Sequence, residues 1–109
     1  MLNITSKNGT IVGTVNNTDR ITAANAMDLK VQINELLNKP SVKFVLDMQS
    51  IKFIDSTGIG TLISALKAAR QNESTFQLCS VQKDVYNLLT LMKLDKVFDI
   101  FPDTSHCGE

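Results

Sequence analysis

The chain has 109 residues, a length that suits one domain burying about two-thirds of the surface its unfolded form exposes. Basic and acidic residues cancel at eleven each, with no block of like charge, so nothing recommends a nucleic-acid or acidic-membrane surface and recognition must come from shape. No apolar stretch approaches the ~20 residues of a membrane span, and Met1-Leu2-Asn3-Ile4-Thr5 lacks the charged start and apolar core of a signal peptide, so a cytoplasmic location is expected.

In chain order, Ile4 to Val15 reads as two short strands around Asn8-Gly9, the pair a tight hairpin wants. Gly13 inside the second strand points to a bulge or a close backbone contact. Asn16 to Ala23 is a polar loop ending in Thr22, a candidate N-cap for a helix that runs to about Asn38. On that helix Ala26, Leu29, Ile33 and Leu36 share one face, Asp28, Lys30, Gln32 and Glu35 take the other, and Pro40 forbids continuation.

Val42 to Leu46 is apolar except for Lys43 and rich in branched residues, as a strand covered on both faces would be. After a short connection, Asp55 and Ser56 stand where a helix N-cap belongs, because Ile59, Leu62, Ile63, Leu66 and Ala69 follow at helical spacing to about Gln71. A helix start leaves backbone N–H groups free and favours negative charge, so the fold itself would tolerate a phosphate on Ser56. The exposed side of this helix is expected to carry Gly60, Thr61, Ser64, Lys67 and Ala68, mostly small residues that let another molecule approach closely.

Asn72-Glu73-Ser74 is a turn and Thr75 to Cys79 a strand with Phe76 and Leu78 inward. Ser80 is a candidate cap for a third helix reaching about Lys93, with Val85, Leu88, Leu89 and Met92 facing the core. Val97 to Phe101 alternates as a last short strand ended by Pro102, and Asp103 to Glu109 reads as a frayed tail. Met27, Met48 and Met92 read as core fillers. Two cysteines without CxxC spacing, Cys79 and Cys107, argue against a disulfide framework or a zinc site. The order of elements implies an α/β layer fold with a mixed sheet of about four or five strands and about three to four helices.

Asp55-Ser56-Thr57-Gly58-Ile59-Gly60 closely resembles the signature of the bacterial anti-sigma factor antagonist family, small STAS-domain proteins with a motif of the form Asp-Ser-(Ser/Thr)-Gly-(Leu/Ile)-Gly. The family's loop Gly-Glu-(Leu/Ile)-Asp-x-x-(Thr/Ser)-Ala is matched at Thr18, Asp19, Thr22 and Ala23, whereas Asn16 and Asn17 replace its glycine and glutamate. The resemblance runs from about Ile11 to Asp103, including Leu88-Leu89 and Val97-Phe98. It implies a single STAS domain with its core over about residues 4–102. In that family the serine after the aspartate is phosphorylated by a partner anti-sigma factor that is also a kinase, and Ser56 holds that place. The resemblance further implies a GHKL-type kinase, a PP2C-type phosphatase, no cofactor on this chain, and a partner surface built from Asp19, Thr22, Asp55, Ser56, Thr57, Gly58, Gly60, Thr61 and Ser64.

Other chemistries find little support. The third glycine of a dinucleotide fingerprint would fall at Ile63, and no Gly-Lys-Ser/Thr occurs. Asp47 ends a strand like the acceptor of a receiver domain, but Thr14 to Asn17 offers no acidic pair, so a structural or solvent-facing role is expected. A serine hydrolase needs a base, and the lone histidine, His106, sits in the tail with no Gly-x-Ser-x-Gly elbow. The chain is therefore expected to be a substrate or binding module and no enzyme. The alternative is an accessory STAS subunit of a membrane transporter or lipid-export complex, docking without phosphorylation.

Overall fold

A computed structural model describes residues 1–102. The chain runs β1 (Leu2–Lys7), β2 (Thr10–Val15), β3 (Arg20–Ile21), α1 (Ala26–Leu37), β4 (Lys43–Asp47), β5 (Phe53–Ile54), α2 (Ser56–Gln71), β6 (Thr75–Cys79), α3 (Lys83–Leu91) and β7 (Asp99–Phe101). Asn8 and Gly9 take φ of 52° and 83°, the left-handed pair that a two-residue hairpin demands, and they join β1 to β2 in antiparallel register. The remaining neighbours are parallel, giving a mixed five-stranded sheet in the order β1-β2-β4-β6-β7.

That order follows from the helices, since each crossover returns the chain in the same direction beside the previous strand. Phe44 and Leu46 of β4 and Phe76 and Leu78 of β6 project into the larger core, to which all three helices contribute. Phe44 stacks on Phe76 at 5.9 Å between ring centroids, and Phe98 meets Phe76 edge to face at 6.4 Å. Val45 points the other way and is buried with Val12 and Cys79 in a smaller cluster that no helix joins.

Several local expectations need correction. At Gly13, where a bulge or a close contact is expected, the register is continuous and the close contact is what is found: Phe44 ring atoms would lie 2.9 Å from a Cβ. α1 begins at Ala26 and not just after Thr22, because the Asn25 side chain bonds back to Arg20 O and to Thr22 N and holds a separate turn ahead of the helix. Its buried stripe is Ala26, Leu29, Ile33 and Leu37, which leaves Leu36 half-buried. Met27 lies one residue round from that stripe and is 67% exposed, so it fills no core.

Ser80 does not cap α3. It adopts φ 56° and donates its N–H to Phe101 O at 3.1 Å, tying the turn to β7, and Gln82 precedes the helix instead. α3 stops at Leu91 because Lys93 turns left-handed at φ 61°. Val85 and Leu89 are buried, Leu88 is half-buried, and Met92 is exposed beyond the helix end. Met48 alone of the three methionines is core. The last strand starts at Asp99, since Val97 N and Phe98 N both donate to Leu94 O in a turn. The expected tail, with His106 and Cys107, lies outside the described residues.

Candidate functional site

The segment between β4 and α2 is pinned from below by Met48 and Ile51, both fully buried. Lys52 N and Phe53 N donate to Asp19 O at 2.7 and 3.3 Å, and β3 then pairs with β5 in parallel, Arg20 against Phe53 and Ile21 against Ile54. This two-stranded sheet, two residues on each side, carries no local signal, and sequence reasoning missed it. On its outer side the Arg20 guanidinium lies 5.8 Å over the Phe53 ring, with Asp19 3.5 Å from Arg20 Nε.

The small sheet delivers Asp55 to the start of α2. Asp55 N donates to Ile21 O at 3.1 Å, and Asp55 O accepts the first helical bond from Ile59 N at 2.9 Å. Its carboxylate is divided between two elements: Oδ1 accepts from Gly58 N at 2.8 Å as an N-cap, and Oδ2 accepts from Ala23 N at 3.1 Å. One side chain thus both caps α2 and ties it to the loop before α1. Gly58 packs so closely on β3 that a Cβ there would lie 2.5 Å from Ile21 O.

Ser56 is the first residue of α2 and is exposed, and among the described residues its hydroxyl makes no hydrogen bond. Thr57 is exposed beside it. Two of the expected surface positions face inward instead. Gly58 is buried against β3. Thr61 is 5% exposed because α1 lies over it, and its hydroxyl donates to Ala26 O and Thr57 O, each at 3.3 Å.

Of the remaining expected partner positions, Asp19 is exposed, Thr22 is half-buried with its Oγ accepting from Ala24 N, and Ser64 is half-buried. Gly60 is exposed with open space where a Cβ would stand. Along the seam between α1 and α2 run two hollows of about 410 and 400 Å³ that share Gly60. The first is lined by Ala23, Ala26, Met27, Lys30, Thr57 and Thr61, the second by Asn34, Ile63, Ser64, Lys67, Ala68 and Gln71. Asn17, at φ 64°, takes a left-handed turn in the loop where the family motif is broken. Asp47 is buried, and its Oδ1 accepts from Gln49 N at 2.9 Å, a structural role. Among the described residues no group of three or more His, Cys, Asp or Glu side chains is placed to hold a metal, and no helix is long and apolar enough to cross a membrane.

Residues 2–107 match the family profile of the STAS domain. The chain is a STAS-domain protein. A Thermotoga maritima relative, provisionally named an anti-sigma factor antagonist, is 30% identical over 76 residues, which cover 70% of this chain and 67% of that protein. A solved STAS-domain structure from Planctomyces limnophilus, an anti-sigma-factor antagonist domain protein, superposes with a TM-score of 0.87 at 17% identity, covering 95% of this chain and 92% of the other. A sulfate transporter family protein from Wolinella succinogenes superposes with a TM-score of 0.75 at 19% identity over 93% of this chain and 83% of its own. The fold is thus shared with an anti-sigma-factor antagonist domain protein and with a sulfate transporter family protein.

Proposed function

We propose that this STAS domain is an anti-sigma factor antagonist whose grip on an anti-sigma factor is switched by phosphorylation of Ser56. The observation that carries the reading is the exposed, unbonded Ser56 hydroxyl on the first turn of α2, held in place by the two-way bonding of Asp55. Unmodified, the domain binds its partner through this helix start and the loop around Asp19 and Thr22, displacing the sigma factor. A GHKL-type kinase, the anti-sigma factor itself, transfers the γ-phosphoryl of ATP to Ser56 Oγ, releasing ADP and the hydroxyl proton. A PP2C-type phosphatase hydrolyses the ester and restores the binding form. The domain is the substrate of both enzymes, performs no catalysis itself, and works in the cytoplasm.

Phosphorylation adds about −1.5 to −2 charge at Ser56. One unit pair at 4 Å is worth roughly 4 kcal/mol at intermediate dielectric, so bringing that charge against an acidic partner group is costly. Loss of about 3 to 4 kcal/mol weakens binding by about two to three orders of magnitude. Because a helix start accommodates an anion, the backbone of the phosphorylated form stays where it is. The test is labelling with γ-labelled ATP and a candidate GHKL-type anti-sigma kinase. Label is expected on wild type and Thr57→Ala and absent from Ser56→Ala; label that survives Ser56→Ala refutes the assignment.

The likeness to the Wolinella succinogenes transporter family protein favours a second reading, an accessory subunit that docks on a transporter or lipid-export complex without phosphorylation. Neighbouring genes for permease and ATPase subunits, with no label from any GHKL-type kinase, select it.

A further inference from the structure

We infer that the α1–α2 seam is a docking furrow for an acidic amphipathic segment of the partner, with Gly60 as its floor and Lys30 and Lys67 as its charge contacts. This deepens the reading of Ser56 as a partner switch and rests on it. The two hollows along the seam join at Gly60, where nothing lies within 4 Å of a Cβ position, so an approaching segment reaches the helix backbone there.

Charge fixes the nature of the occupant. The linings include Lys30 and Lys67 and no carboxylate. α2 carries Lys67 and Arg70 with no acidic residue anywhere from Ser56 to Gln71, although the chain as a whole is neutral. The acidic side chains of α1, Asp28 and Glu35, are exposed outside the seam, seven residues apart on one face. The charged side chains lining the furrow are therefore all positive, on a chain that is neutral as a whole. Apolar contact accompanies it: Met27 and Val31, one turn apart on α1, are 67% and 49% exposed, and Met27 lines the first hollow. A segment that sets an apolar side chain against Met27 and over Gly60, with carboxylates reaching Lys30 and Lys67, satisfies both features.

Thr57, the residue after Ser56, lines the first hollow. A phosphate on Ser56 therefore stands beside the first hollow and repels a carboxylate drawn to Lys30 there. Blocking by charge alone follows, with no rearrangement of the fold.

The test measures binding of the full chain to its anti-sigma kinase by calorimetry at two salt concentrations. Lys67→Glu and Lys30→Glu are each expected to weaken binding by about tenfold or more and to flatten its salt dependence, whereas Lys96→Glu, exposed near β7, stays within about twofold. Gly60→Leu, which closes the floor without touching the fold, is expected to lose at least about tenfold as well. Wild-type affinity in Lys67→Glu and Gly60→Leu, with Ser56→Asp still releasing the kinase, overturns the furrow and leaves the switch standing. Failure of Ser56→Asp to weaken binding removes the switch, and the furrow's occupant with it.

Discussion

Two glycines that stand two residues apart on α2 predict opposite outcomes for the same substitution. In a helix, replacing glycine by alanine stabilises by about 0.5–1 kcal/mol through the lost freedom of the unfolded chain. At Gly60 nothing opposes that gain, since a Cβ meets no atom within 4 Å. Gly60→Ala is expected to raise Tm by about 2–5 °C. At Gly58 the added carbon lies 2.5 Å from Ile21 O and 2.6 Å from Ile54 Cγ1. Neither neighbour can step aside, because Ile21 is fully buried and its carbonyl already accepts from Asp55 N.

Relief at Gly58 requires α2 to lift from β3 and β5, which strains the Asp55 bond to Ala23 N. Overpacking costs about 1–3 kcal/mol, a weakened hydrogen bond about 1 kcal/mol, and the helix gain offsets about 0.5–1 kcal/mol. Gly58→Ala is therefore expected to destabilise by about 2 kcal/mol and to lower Tm by about 8–10 °C. Urea titrations of both variants, compared at unchanged m, measure the difference. A Gly58→Ala protein as stable as wild type would refute the close approach of α2 to the small sheet, and with it the rigid placement of Ser56.

Two further substitutions follow from the bonding of single side chains. Asp55→Ala removes an N-cap and a second charge-assisted bond, and is expected to cost about 2 kcal/mol in urea unfolding, with Asp55→Asn, which keeps an acceptor oxygen, losing about half as much. Ser74 is buried, and its Oγ donates to Lys39 O at 2.7 Å while accepting from Val42 N at 3.0 Å, so Ser74→Ala is expected to destabilise by about 1–3 kcal/mol; a change under about 0.5 kcal/mol in its denaturation midpoint contradicts this.

The start of α2 is legible in the sequence because cap chemistry, helical spacing and a preceding apolar strand all fall within one continuous stretch. What needs a second element is not. The β3–β5 pair is two residues long on each side, and its hydrogen bonds exist only because Asp19 and Ile21 are carried up to the segment before Asp55. Thr22 reads as a cap, yet the neighbouring Ala23 N–H is claimed by Asp55, 32 positions beyond Ala23, and the helix starts later. Thr61 looked exposed on a helical wheel of α2 alone, and it is α1 that covers it. Met27 and Met92 show the same limit: residue type gives a preference for burial, while the face is decided by neighbours.

The geometry of α2 also sets how far a phosphate on Ser56 acts in the proposed switch. Helical rise places Gly60 about 6 Å along the axis from Ser56 and Lys67 about 16 Å away. Screening at physiological salt has a length of about 8 Å. The phosphate thus repels a carboxylate seated in the first hollow and scarcely alters the field at Lys67. Release then comes from the loss of one half of the site, not from neutralising the other. On the first turn, in this proposal, the modifying charge is exposed to a kinase, lies next to Thr57 of the first hollow, and is set on a helix start that Asp55 holds in position.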